Sequence, residues 1–201
     1  MLEIKQQGKA VKDTLSSIIE NNDIFFEKVK LTEEYIRNGL KSIVFIACGS
    51  AYHAGMVGKN VVESLCGINS SAEIASEFRY SKALVDSSTL AVFISQSGET
   101  ADTLAALRVA KEKGAKTLSI VNVKESAIAK ESQSVIYTLA GREVSVATTK
   151  AYSAQLAVIY ALAIYIAEKR GVISSGKASD YKKELLSLPK KIDETVSNTE
   201  E

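Results

Sequence analysis

The stretch Leu90-Ala91-Val92-Phe93-Ile94-Ser95-Gln96-Ser97-Gly98-Glu99-Thr100 decides how the rest of the chain is read. Its first five residues are apolar without alternation, the pattern of a strand covered on both faces. The remaining six are mostly small and polar, and they open an amphipathic segment over residues 100–113 that Gly114 closes. Strand, hydroxyl-rich loop and helix make the layout of an anion site. The first N–H groups of a helix have no internal partner, and the helix dipole adds positive potential there. Ser95, Gln96, Ser97 and Thr100 add side-chain donors, and Gly98 lets the backbone approach a ligand. The loop holds no Lys or Arg, so it is neither a Walker A loop nor a dinucleotide fingerprint. Four hydroxyl or amide side chains in six residues exceed what capping one helix requires, and the reading is a phosphate or phosphosugar site.

Outward from this stretch the alternation repeats. Residues 42–47, 71–75, 117–122 and 134–139 read as further strands, and residues 50–65, 76–82, 126–130 and 149–169 as helices. The expectation is an α/β fold: a doubly wound, five-stranded parallel sheet with helical extensions at both ends. One domain is expected over residues 1–201, with N-terminal helices at 1–40, a sheet core at 41–171 and a helical tail at 172–201. The first extension reads as an amphipathic helix over 5–20, carrying Val11, Leu15, Ile18 and Ile19, and a short helix over 32–38 closed by Gly39. In the tail, Tyr181, Leu185, Leu188 and Ile192 keep rough helical spacing.

Ligands of such folds bind beyond the C-terminal ends of the strands. Three polar loops fall there: Cys48-Gly49-Ser50, the 95–100 loop, and Val146-Ala147-Thr148-Thr149. Ser50 offers a hydroxyl, and Thr148 and Thr149 offer hydroxyls plus the N–H groups of the following helix to sugar oxygens. Lys150 sets a cation against the helix dipole, where a surface lysine is the ordinary explanation. For acid–base chemistry the candidates near these loops are His53, the only histidine, and Glu99. There is no Ser/His/Asp arrangement and no metal-ligand spacing, so no metal or cofactor is expected.

Lys plus Arg number 25 against 24 Asp plus Glu, a balance that argues against nucleic acid or an anionic membrane as partner. Two cysteines eighteen positions apart, Cys48 and Cys66, fit reduced thiols and a cytoplasmic location. The first ten residues carry charges and no apolar core, unlike a signal peptide. The apolar run 156–167 is too short to span a bilayer and reads as a buried helix.

The SQSGET loop on a parallel sheet resembles the sugar isomerase (SIS) domain, a phosphosugar-binding module of flavodoxin-like architecture. Longer strings narrow the resemblance. ACGSAYHAGM at 47–56, EIASEFRY at 73–80, SQSGETADTLAALR at 95–108 and VATTKAYSAQL at 146–156 occur in that order. Together they are similar to the first SIS subdomain in the isomerase part of the glutamine–fructose-6-phosphate aminotransferase family, which makes glucosamine 6-phosphate for hexosamine synthesis. The resemblance implies that Ser95, Gln96, Ser97 and Thr100 bind phosphate with Ser50 beside them. It implies that Val146, Ala147 and Thr148 contact the sugar. Ala51 stands where the family offers a hydroxyl, Thr148 where it has serine, and Gly8 where proline is common. The family's glutaminase domain and second SIS subdomain have no counterpart here. That second half carries the family's catalytic glutamate and lysine, and a histidine crosses the dimer. The resemblance therefore implies a half-site completed by a homodimer partner or a second SIS subdomain. A stand-alone homo-oligomeric aldose–ketose isomerase and a non-catalytic phosphosugar sensor remain the alternatives.

Overall fold

The structure, a computed structural model, describes residues 2–145 and 147–199. The chain opens with a single turn, α1 (Leu2–Lys5), and α2 (Gln7–Ser16). The helix expected over 5–20 stops there. Ile18 and Ile19 keep helical spacing with Val11 and Leu15, yet Ile19 belongs to an antiparallel hairpin of β1 (Ile19–Glu20) and β2 (Asp23–Ile24). Asn21 and Asn22 turn it with φ of 50° and 64°, the left-handed pair that a two-residue hairpin demands and asparagine tolerates. Both isoleucines are buried, so the apolar spacing signalled burial rather than helix.

The short helix expected over 32–38 is largely a π-helical turn, Tyr35–Gly39, closed by the Leu40 N–H donating to the Tyr35 carbonyl at 2.7 Å. Gly39 lies inside this turn and not beyond it. A Cβ there would stand 2.7 Å from Cδ2 of the Tyr35 ring. The Arg170 guanidinium donates to the Ile36 and Leu40 carbonyls at 2.8 and 3.1 Å, satisfying acceptors at the end of the turn.

Five strands follow: β3 (Ser42–Ala47), β4 (Asn69–Ile74), β5 (Thr89–Ser95), β6 (Lys116–Val121) and β7 (Ser134–Tyr137). They form a parallel sheet in the order β4-β3-β5-β6-β7, as expected of a doubly wound fold. Helices α3 (Ser50–Cys66), α4 (Ala75–Phe78), α5 (Ala101–Glu112) and α6 (Ala127–Glu131) occupy the crossovers, and α7 (Lys150–Lys169) and α8 (Ser175–Asn198) close the chain. Successive strand residues face opposite layers. Ile43, Phe45, Leu90, Val92 and Ile94 join the core with α2, α3, α7 and α8. Val44, Ile46, Ala91 and Phe93 join the core under α4, α5 and α6. Burial on both faces is why β3 and β5 read as unbroken apolar runs.

The 20-residue helix α7 extends well past the 156–167 run and is long and apolar enough to cross a membrane. Yet 67% of its apolar window is buried inside this fold, which makes it the spine of one core layer. Helix α8 is capped by the Ser174 side chain, which accepts from the Lys177 N–H. It is pinned by the buried Lys182, whose Nζ pairs with Glu168 at 2.9 Å and Asp23 at 3.6 Å. Gly8 lets α2 approach α8: a Cβ there would overlap the Asp193 carboxylate.

Because β4 lies on one side of β3 and β5 on the other, the winding reverses between β3 and β5. The crevice beyond their C-terminal ends is where such sheets take ligands.

Candidate functional site

Ser95 ends β5 and Cys48 follows β3, which register pairs side by side through Ala47 and Ile94. A cleft of about 180 Å³ opens above them. Of the candidate residues, Ser50, Ser95, Gln96, Ser97, Thr100 and Thr148 line it, together with Cys48, Ala51, Ile94 and Gln155. Ala147 is exposed and not on its wall, and Val146 lies outside the described residues. Wider grooves exist, one of about 620 Å³ between α3, α7 and α8, but its walls are mainly apolar, and polar groups converge in the smaller cleft.

The 95–100 loop organises itself. The Gly98 N–H donates to Ser95 Oγ at 3.0 Å and the Glu99 N–H donates to Ser97 Oγ at 3.2 Å. The Ser95 and Thr100 hydroxyls meet at 3.1 Å. An oxygen that already accepts from the backbone has its own proton left to donate, so the Ser97 hydroxyl is poised as a donor. Gly98 holds φ of +68°, and a Cβ there would stand 2.1 Å from Ser126 Oγ, so the loop is seated directly on the start of α6.

Two helix N-termini open onto the cleft, those of α3 and α5, and neither carries a side-chain cap. Among the described residues no Lys, Arg or His lines it. The positive potential is therefore that of backbone dipoles, which suits an anion without fixing one cationic partner. Asp102 in the first turn of α5 is engaged elsewhere, accepting from Arg79 at 2.7 Å.

The N-terminus of α7 differs. The Glu143 carboxylate accepts from the Thr149 N–H at 2.8 Å, and lies 3.5 Å from the Ala151 nitrogen. The free N–H groups expected at Thr149 are thus occupied by the chain's own anion, and among the described residues of that loop Thr148 alone reaches the cleft. Lys150 is not a surface lysine: it is buried and donates to Gln6 Oε1 at 2.8 Å.

Neither acid–base candidate is on the cleft wall. The Glu99 carboxylate accepts from the Ala127 N–H at 2.9 Å, binding the start of α6 as a helix-stabilising anion. His53 is exposed on α3, with its ring 5.6 Å from that of Tyr52. Cys48 sits half-buried on the cleft wall, whereas Cys66 donates to the Ala163 carbonyl at 3.2 Å, and burial pushes its thiol up to about 12. Among the described residues no group of three His, Cys, Asp or Glu is placed to hold a metal. Gln155, which reaches the cleft from the second turn of α7, is not marked by the sequence reading: a single amide in a mainly apolar helix forms no motif.

Comparison with known proteins agrees with this geometry. The chain is 44% identical over 199 residues to glutamine–fructose-6-phosphate aminotransferase (isomerizing) of Clostridium tetani, covering 98% of this chain and 33% of that protein. It is 45% identical to the Clostridium perfringens protein of the same name, covering 98% and 32%. The chain thus spans about a third of the length of these relatives. Among solved structures, the C-terminal domain of glucosamine-fructose-6-phosphate aminotransferase from Francisella tularensis superposes with a TM-score of 0.87 at 36% identity, covering 93% of this chain and 52% of that one. Five parallel strands in doubly wound order, a hydroxyl-lined loop at the reversal point, and a SIS domain profile matched over residues 38–165 agree: the chain belongs to the SIS domain family.

Proposed function

We propose that this chain is the phosphosugar-binding half of the isomerase part of a glutamine–fructose-6-phosphate aminotransferase, taking fructose 6-phosphate or glucosamine 6-phosphate in the cleft at the ends of β3 and β5. The observation that carries the reading is the donor set of the 95–100 loop beside two uncapped helix N-termini. Ser95, Gln96, Ser97 and Thr100 hold the phosphate, Ser50 stands beside them, and Thr148 meets the sugar. Contacts from Val146 and Ala147 rest on the family resemblance alone.

With Glu99 occupied at α6 and His53 off the cleft wall, the acid–base groups come from elsewhere: a second SIS subdomain or a partner copy. The binding energy of the phosphate then orients the sugar for chemistry that those groups perform. The free thiols Cys48 and Cys66 and the sugar-phosphate ligand support a cytoplasmic enzyme of hexosamine synthesis.

Calorimetric titration of the full chain with fructose 6-phosphate, plain fructose and inorganic phosphate tests this. Saturable heat with the sugar phosphate and none with fructose is expected. Absence of sugar-phosphate binding removes the proposal.

A further inference from the structure

Gln155 is 2% exposed, it lines the cleft, and its Oε1 has no hydrogen-bond partner among the described residues. Four other buried polar atoms share that lack, on Tyr35, Ser119, Ser126 and Arg170, and none of those residues lines the cleft. A buried amide oxygen left unpaired carries an uncompensated desolvation cost, and native structures seldom keep one without a reason. Helix α7 makes the choice of residue pointed, since Ala151, Ala154, Ala157 and Val158 around it are buried and apolar. An apolar residue of similar size would satisfy packing at that position.

The oxygen can only accept. The 95–100 loop presents the opposite chemistry: Ser97 Oγ accepts from a backbone N–H and keeps its proton to donate, and the paired Ser95 and Thr100 hydroxyls leave one more proton between them. The ester phosphate of a sugar phosphate, a dianion without a proton near neutral pH, satisfies those donors and has nothing to donate to Gln155. A sugar hydroxyl has a proton to donate. The cleft therefore carries donors on one wall and, on the α7 side, a residue whose oxygen still lacks a donor, an arrangement that matches a phosphate joined to a polyol.

We infer that Gln155 is a specificity-determining residue that accepts a hydrogen bond from a hydroxyl of the bound sugar phosphate, selecting it over inorganic phosphate. This rests on the proposed phosphosugar function of the cleft.

The test compares the full chain with Gln155→Met and Gln155→Leu by calorimetry, using fructose 6-phosphate and inorganic phosphate as probes, with thermal melts alongside. Affinity for fructose 6-phosphate is expected to fall about tenfold, the order of one neutral hydrogen bond to a buried group. Inorganic phosphate is expected to bind all three proteins alike. The Tm should not fall, because replacing an unpaired buried amide with an apolar side chain of similar shape is neutral or stabilising. Unchanged fructose 6-phosphate affinity in both variants assigns the oxygen to an ordered water and overturns the inference while leaving the cleft's function standing. Equal losses for both probes, or a large drop of Tm in both variants, assigns Gln155 a structural role and also overturns it. If the unaltered chain binds no fructose 6-phosphate, the proposed function itself falls.

Discussion

Two loops of this molecule do the same topological job and are built in opposite ways. Each leaves the C-terminal end of a sheet strand and feeds a helix, one between β5 and α5 and the other between β7 and α7. The 95–100 loop folds on itself through bonds between residues no more than five positions apart, and rests on α6 through the Ala127 and Ile128 N–H groups. The 138–149 loop is held by distant residues. The Glu3 carboxylate accepts from the Val144 and Ser145 N–H groups, Thr14 Oγ1 from the Leu139 N–H at 2.9 Å, and Asn122 Oδ1 from the Ala140 N–H at 3.0 Å. Their helix ends differ accordingly. The start of α5 is left open to a ligand, and the start of α7 is filled by Glu143. Of these two helix N-termini, only that of α5 is proposed as an anion site, and the difference lies in whether the chain supplies its own carboxylate.

The largest effect should come from the self-organised loop. Gly98→Ala adds a Cβ at φ +68° into Ser126 Oγ, and is expected to cost about 3 kcal/mol by denaturant melt together with sugar-phosphate binding. Gly67→Ala is the control: its backbone is left-handed, with φ of +61°, but nothing stands within 4 Å of the added atom, so about 1 kcal/mol is expected. Equal costs would mean that contact with α6 contributes nothing.

Next in size is Ser97→Ala. It removes one donor to a charged acceptor and should weaken fructose 6-phosphate binding by about 1.5–3 kcal/mol, with little change of Tm. An unchanged dissociation constant would remove Ser97 from the phosphate site.

Glu143→Ala acts on the other loop. Losing the anionic cap of α7 should lower stability by about 1 kcal/mol in a thermal or urea melt, and leave inorganic phosphate affinity unaltered. A gain in phosphate affinity would show that α7 can serve as an anion site once vacated.

The smallest effect concerns Glu3. The Val144 N–H, followed by the Ser145 N–H and Lys150, holds its carboxyl below the ordinary 4.5. A depressed folded value contributes stability above the unfolded value, and that contribution is lost as pH falls through the lower folded one. Protection of the Val144 amide, relative to its intrinsic exchange rate, should therefore hold above pH 4.5 and fall on further acidification, while Glu3→Gln should blunt the dependence. Exchange that is identical in Glu3→Gln at every pH would detach the loop from α1.

The same contrast explains what the sequence made legible. Parallel strands β3 and β5 announced themselves because burial on both faces leaves no polar alternation to confuse, whereas the edge strand β4 (NSSAEI) was placed two residues late because it is polar and partly exposed. The hairpin at Asn21-Asn22 was missed because Ile18 and Ile19 happen to continue a helical period. The 95–100 loop could be read because the bonds that arrange its hydroxyls run between neighbours in the chain. Glu3 and Gln155 could not, since their partners or surroundings come from elements that sequence proximity does not reveal, and Glu143 could not because a carboxylate six residues before Thr149 matches no capping motif.

The central claim is that phosphate sits at the start of α5 and not at the start of α7. Mapping backbone amide shifts while titrating fructose 6-phosphate, with plain fructose as control, tests it directly. The account predicts large shifts at Ser97 to Asp102, small ones at Thr149 to Ala151, and none in the first group with fructose. Shifts centred on Thr149 to Ala151, with Ser97 to Asp102 unmoved, would contradict it.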